Sequence, residues 1–100
     1  MIRGTTPTHI FDLSIDTEII DKIRIIYAQD DVPLFVKERD ECKFDNSTVT
    51  VKLSQNETLL FNCLKDVQIQ IRVLTSGGDA LSTPVRRVSI EKCLESEVLE

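Results

Sequence analysis

Residues 48–53, which read Thr-Val-Thr-Val-Lys-Leu, alternate polar and apolar side chains without a break. Successive side chains of an extended strand point to opposite faces, so this alternation predicts a strand that is half buried. Its threonines and lysine are expected to face water, and Val49, Val51 and Leu53 are expected to face a core. This stretch therefore indicates a β-protein.

The same period of two recurs on both sides of this stretch. Six further strands are predicted, at residues 8–14, 22–29, 33–38, 40–44, 66–75 and 80–91. Turn signals lie between them, at Asp30-Asp31, Asp45-Asn46-Ser47 and the Gly-containing segment 75–79. Pro84 near the start of the last strand indicates an edge or a bulge, because proline cannot donate to a strand ladder.

Residues Ser54 and Glu57 have the spacing of a capping box, in which each side chain binds the backbone amide of the other residue. The apolar run that follows is short, so the pattern predicts one helical turn and not a long helix. This turn precedes the strand at 66–75, at the point where a sandwich crosses from one sheet to the other.

Seven strands with few helices are typical of an antiparallel β-sandwich with immunoglobulin-like connections. A small β-barrel is the alternative. A length of 100 residues is that of one domain. We therefore predict a single domain over 1–100, with an extended N-terminal arm at 1–7 and an acidic tail at 92–100.

The composition, with 41% hydrophobic and 29% charged residues, is that of a globular chain and not of a disordered one. A net charge of −5 argues against a non-specific nucleic-acid binder, which needs a basic surface.

No apolar stretch approaches the roughly 20 residues of a membrane span, and no secretory leader is expected. Three cysteines, Cys42, Cys63 and Cys93, fit no disulfide framework and are expected to be reduced thiols.

Residues able to carry catalysis are few. His9 is the only histidine, and no pair of cysteines has the spacing of a zinc site. Asp30-Asp31 and Asp40-Glu41 lack the spacing of a calcium loop, and Gly77-Gly78 lacks the Lys-Ser/Thr of a phosphate loop. We therefore expect a protein that is not an enzyme and that holds neither a metal nor another cofactor.

The opening segment is polar and extended, and such an arm can pair with the edge strand of a neighbour. Arg3, Thr5, Thr6 and Pro7 are the predicted partner-binding residues. A frayed terminus is the alternative interpretation of the same segment.

The segment Arg3-Gly4-Thr5-Thr6-Pro7-Thr8-His9-Ile10-Phe11 resembles the start of small proteins carried by prophages and tailed phages of Gram-positive bacteria. In that group, a segment of the type Arg-x-Gly-Asp/Thr-Thr-Pro-Thr leads into a first strand. Residues 23–29 and 69–75 are similar to the same group. The group also resembles the immunoglobulin-like N-terminal domains of phage baseplate and tail proteins.

The resemblance implies a structural or interaction module of the virion, in the tail, neck or baseplate, that acts through edge strands and surface complementarity. Its expected partners are other phage structural proteins or copies of itself, with a homo-oligomer in the assembled state and no nucleic acid or membrane. It would be made in the host bacterial cytoplasm and reside in the virion. The alternative is a small acidic phage protein that inhibits a host factor by occupying a basic groove.

Overall fold

The structure is a computed structural model that describes residues 1–100. Eight strands follow one another as β1 (Thr8–Asp12), β2 (Ile20–Gln29), β3 (Val32–Glu38), β4 (Cys42–Asp45), β5 (Thr48–Lys52), β6 (Val67–Thr75), β7 (Ala80–Ser82) and β8 (Arg86–Val88). One α-helical turn, α1 (Gln55–Thr58), separates β5 from β6, and 3₁₀ turns at Thr17–Ile19 and Arg39–Glu41 precede β2 and β4.

The strands form two sheets that pack together. One sheet has three strands in the order β1-β5-β4, and the other has five strands in the order β3-β2-β6-β7, with β8 also paired to β6. Every strand pair is antiparallel. The all-β sandwich predicted from the sequence is confirmed, with two separate sheets instead of one closed barrel. Immunoglobulin-like connectivity stays a prediction.

The core lies between the sheets and is built from the apolar rows that the alternation predicts. Val49, Val51 and Leu53 are 0%, 1% and 0% exposed, which confirms the assignment of their faces. The opposite wall comes from inward rows of β2 and β6, namely Ile23, Ile25, Tyr27, Val67, Ile69, Ile71 and Val73. Burial of large apolar side chains on both walls supplies the main driving force for packing the two sheets.

The last predicted strand, 80–91, is two strands in the structure, so the chain has eight strands and not seven. Both pieces pair with β6, and Thr83 lies between them. The Thr83 amide donates to the Ile71 carbonyl at 2.9 Å, and the Thr83 hydroxyl accepts from the Ile71 amide at 3.0 Å. The Thr83 hydroxyl takes the place of a backbone carbonyl as the acceptor for the Ile71 amide, and Pro84 has no amide to continue the ladder. The strand is therefore interrupted between β7 and β8. The strand predicted at 40–44 also begins later, at Cys42.

The capping box is confirmed. The Ser54 hydroxyl accepts from the Glu57 amide at 3.1 Å, and the Glu57 carboxylate accepts from the Ser54 amide at 2.8 Å. These two bonds satisfy amides that a helix start leaves unpaired. Because β5 and β6 belong to different sheets, this single turn carries the chain across the sandwich, as predicted.

Replacement of Ile25 by alanine tests where the core lies. Ile25 is 0% exposed, so Ile25→Ala is expected to lower the free energy of unfolding by about 2–5 kcal/mol. The matched control is Ile10→Ala, because Ile10 is 68% exposed and its replacement should cost less than about 1 kcal/mol. Urea unfolding followed by circular dichroism measures both values, and equal losses would contradict this placement of the core.

Candidate functional site

The predicted partner-binding segment is fastened to the domain by its own first residues. The Arg3 guanidinium donates to two carbonyls just after α1, from Nε to Phe61 at 2.9 Å and from Nη2 to Leu59 at 2.8 Å. The Arg3 amide donates to the Glu91 carbonyl at 2.9 Å, and the Glu91 amide donates to the Met1 carbonyl at 2.7 Å. We call residues 1–7 the N-terminal clasp.

The buried hydroxyl of Thr58 holds the middle of the N-terminal clasp. Thr58 is 0% exposed, and its hydroxyl donates to the Thr5 carbonyl at 2.8 Å and accepts from the Gly4 amide at 3.0 Å. Gly4 has a φ of +83°, which L-residues with a side chain rarely adopt. The glycine therefore lets the chain turn where its amide must reach Thr58.

The structure brings Arg3, Thr5, Thr6 and Pro7 together on one end of the sandwich, but most of their polar groups are bonded within the domain. The Thr5 hydroxyl donates to the Ile2 carbonyl at 2.6 Å, and the Pro7 carbonyl accepts from the Leu53 amide at 2.9 Å. Thr5 and Thr6 remain exposed. Partner binding by this segment stays a prediction, and these two exposed residues are the ones still available for it.

Lys37 is an inward-pointing cation on β3 and is only 6% exposed. Its ammonium contacts Glu57 at 2.6 Å and Glu41 at 3.2 Å. Burial disfavours the charge, but the hydrogen bonds and charges of these two carboxylates outweigh it, so the pKa of Lys37 is raised. Lys37 therefore links the edge of the five-stranded sheet to the turn that crosses between sheets.

His9 contributes a hydrogen bond to the inside of the sandwich. Its Nδ1 lies 2.7 Å from the Tyr27 hydroxyl, and its ring stacks on the Tyr27 ring with centroids 5.7 Å apart. Burial lowers the pKa of His9, with the N-terminal ammonium adding to the effect, and burial raises the pKa of Tyr27. A neutral imidazole bonded to a buried phenol is a structural pair.

The longest edge strand is β3, which has seven residues and pairs only with β2. Leu34 and Val36 are 36% and 37% exposed, whereas Phe35 packs against the core and Lys37 is buried. The division of these side chains between two faces is as predicted. An edge strand of this length presents a row of backbone groups that a further strand can pair with.

Sequence reasoning missed a cationic area on the outer face of the five-stranded sheet. Arg24 and Arg72 stand directly opposite each other on β2 and β6, and Lys22 is opposite Leu74. The three cations are exposed, and none of them is in an ion pair. The alternation of side chains could have revealed this area. Each cation adjoins a buried residue in its strand and therefore points to the outer face.

Metal-ligating residue types and cysteines were also compared with the sites that they commonly form. No three His, Cys, Asp or Glu side chains lie close enough to hold a metal ion. All three cysteines are free. Burial, with the nearby charge of Glu41, raises the pKa of Cys42, so this thiol is poorly suited to act as a nucleophile. No helix has the length and apolar character needed to span a bilayer.

Comparison of the chain with models of protein families, with curated proteins and with solved structures finds no match in any of the three. The assignment of function therefore depends on the surfaces described above and on the resemblance in sequence.

Replacement of Thr58 by valine tests the N-terminal clasp. Valine has nearly the same shape but leaves the Gly4 amide and the Thr5 carbonyl without their partner, so Thr58→Val is expected to cost about 1–3 kcal/mol of stability. Loss of hydrogen-exchange protection at the Gly4 amide should accompany it. Thr50→Val, on the outer row of β5, is the control and should leave that amide protected.

The His9–Tyr27 pair predicts a pH dependence of stability. The folded-state pKa of His9 lies below its ordinary value of 6.5, so the unfolded chain binds the proton more readily. This contribution to stability is complete above pH 6.5 and is lost as the pH falls from 6.5 towards the folded pKa. His9→Gln keeps an acceptor for the phenol but does not titrate.

Urea unfolding of both proteins at a series of pH values between about 5 and about 8 measures the effect. The difference in stability between wild type and His9→Gln should narrow as the pH falls. A difference that is constant with pH would show that His9 titrates alike in the folded and unfolded states.

Proposed function

We propose that this protein is a non-enzymatic structural module of a phage virion, placed in the tail, neck or baseplate. It binds neighbouring subunits, either copies of itself or other virion proteins, through an edge strand and complementary surfaces. The open edge of β3 carries the binding part of the proposal. The resemblance of residues 3–11 to small phage proteins supports the virion part. The same resemblance implies an immunoglobulin-like arrangement of the strands and synthesis in the host cytoplasm.

The shape of β3 suits it to strand addition. Main-chain groups along a free edge give affinity, and alternate side chains give specificity. On β3 these side chains are Leu34 and Val36, which form an apolar row on the outer face beside Ile26 of β2. Pairing of a further strand with β3 would bury this apolar row and bond the free backbone groups beside it. Removal of apolar surface from water favours such pairing.

The ion pairs of Lys37 prepare β3 for binding. An inward charge on an edge strand normally discourages pairing, because a partner would bury it without compensation. Here Glu57 and Glu41 already neutralise the ammonium within the domain. The strand is thereby held in place before a partner arrives, which lowers the entropic cost of binding.

The alternative function is inhibition of a host factor by the acidic surface. A concave area of about 470 Å³ near the start of β2 is lined by Asp12, Asp16 and Glu18, among other polar residues. The Ser14 amide and the Ser47 side chain lower the pKa of Asp12, which keeps this area negative. Such a surface complements a basic groove. Retention of host-factor binding after neutralisation of these carboxylates would argue against it.

The composition of purified phage particles tests the main proposal. Particles banded in a density gradient should contain the protein at a fixed ratio to known tail subunits, as measured by quantitative mass spectrometry. Val36→Lys is expected to reduce that ratio, because a cation on β3 opposes the burial of its apolar row, while it changes the stability of the isolated chain by less than about 1 kcal/mol.

Leu60→Lys is the matched control, since Leu60 is 56% exposed and lies outside the strands. It should enter particles as the wild type does. Absence of the wild-type protein from particles would overturn the structural function. Normal incorporation of Val36→Lys would exclude β3 as the binding edge.

A further inference from the structure

We propose that the acidic residues 91–100 of one copy bind the cationic outer face of the five-stranded sheet in a second copy, at Lys22, Arg24 and Arg72. This inference rests on the proposed function, because it names a contact through which copies of the chain assemble. We call these two surfaces the acidic segment and the cationic face.

The cationic face carries a repulsion that no ion pair in the isolated domain neutralises. Arg24 and Arg72 are direct cross-strand neighbours, and like charges in such positions destabilise a sheet. Glu38 stands opposite Arg24 on its other side but forms no ion pair with it. Carboxylates brought by a partner would remove this repulsion.

The cationic face has an apolar floor beside its charges. A shallow groove of about 240 Å³ lies over the ends of β2, β6 and β7. Its lining combines the three cations with Leu74, Ala80 and Leu81, among others. A ligand that carries both carboxylates and an aliphatic side chain matches this lining.

The acidic segment has this composition. It contains four carboxylates, at Glu91, Glu95, Glu97 and Glu100, and one cation, at Lys92. Leu94 is 97% exposed, although it is a large aliphatic residue. Its position next to Glu95 gives a carboxylate and an aliphatic group, which match the cations and the apolar residues of the groove.

The acidic segment is held at two points, so it is presented as a loop. At one end, Glu91 is bonded to Met1 and Arg3 through the backbone. At the other end, the Leu99 amide donates to the Gln55 side chain at 2.7 Å, and that side chain donates back to the Leu99 carbonyl at 3.0 Å. A loop anchored in this way loses less conformational entropy on binding than a free chain.

The spacing of charges matches on the two surfaces. Glu95 and Glu97 are two residues apart, as are Lys22 and Arg24 on β2. In extended backbone this spacing places both side chains on one face, about 6.6 Å apart. In the isolated chain the backbone bends at Leu94 and Glu97, so the acidic segment straightens between its two anchors when it lies along β2. It then meets both cations, with Arg72 adjacent to Arg24.

The groove and the Glu91 anchor lie at opposite ends of the five-stranded sheet, and no ion pair joins the acidic segment to the cationic face within one copy, so the proposed contact is between copies. The groove lies near the beginning of β2, whereas Gln29 at the end of β2 binds the Asn62 and Lys65 carbonyls that follow α1. The Glu91 anchor is at this second end, because Glu91 follows β8 and Val88 of β8 pairs with Val67 at the start of β6. The part of β2 from Arg24 to Gln29 alone spans roughly 16 Å. A head-to-tail contact of this kind builds a ring or a filament.

Charge exchange tests the inference on the purified full chain. Variant A carries Arg24→Glu and Arg72→Glu, and variant B carries Glu95→Arg and Glu97→Arg. Sedimentation velocity between about 10 μM and about 1 mM protein, the range of weak interfaces, measures self-association. Wild type should associate, and each variant alone should associate at least about tenfold more weakly. Raising the salt from about 0.05 M to about 0.5 M should weaken the wild-type contact.

The equimolar mixture of A and B tests whether the acidic segment of one copy contacts the cationic face of another. In the mixture, the acidic face of A meets the basic segment of B, and the basic face of B meets the acidic segment of A, so association should return to the wild-type level. The control variant carries Arg86→Glu and Arg87→Glu, an equal charge change on β8, and should associate as wild type does.

A wild type that stays monomeric at every concentration would overturn the inference, as would a mixture of A and B that does not associate. Association of A alone at wild-type strength would exclude the cationic face while leaving assembly through another surface in place. The proposed virion function is judged separately by the composition of the particles, which does not depend on association of the purified chain.

Discussion

The burial of Tyr27 between the two sheets is the constraint on which the rest of the structure depends. Its ring is 0% exposed and stacks on Phe35 of its own sheet at 4.8 Å between centroids. A phenol this deep requires a hydrogen-bond partner, and His9 reaches it from the opposite sheet. One side chain therefore fixes how β1 lies over β2 and excludes water from the middle of the sandwich.

Phe61 extends the same aromatic group towards the end of the sandwich, where the chain crosses between sheets. The crossing leaves carbonyls and amides outside any strand ladder, and buried polar groups of this kind need partners. Arg3 and Thr58 supply them, which is why the first residues lie on the domain instead of extending from it. The surfaces that remain exposed for contact with other molecules are Thr5 and Thr6, β3, the outer sheet faces and the acidic segment.

The net charge of −5 conceals an uneven distribution. Carboxylates occupy the turns and the acidic segment, whereas Lys22, Arg24 and Arg72 gather on one outer sheet face. Neighbouring strands place residues distant in sequence side by side, so a chain with a net negative charge can still carry a basic face. The proposed contact between copies depends on this distribution and not on the average charge.

The sequence by itself determined the features that depend on a few consecutive residues: the inward row of β5, the capping box of Ser54 and Glu57, and the all-β class. It left a small barrel as the alternative to the two sheets that the structure has. Backbone geometry alone links such patterns to structure. Only the tertiary structure decided the bond of Arg3 to residues after α1, the ion pairs of Lys37 and the meeting of Arg24 with Arg72. These contacts join residues far apart in the chain, and their geometry exists only after the order and register of the strands are set.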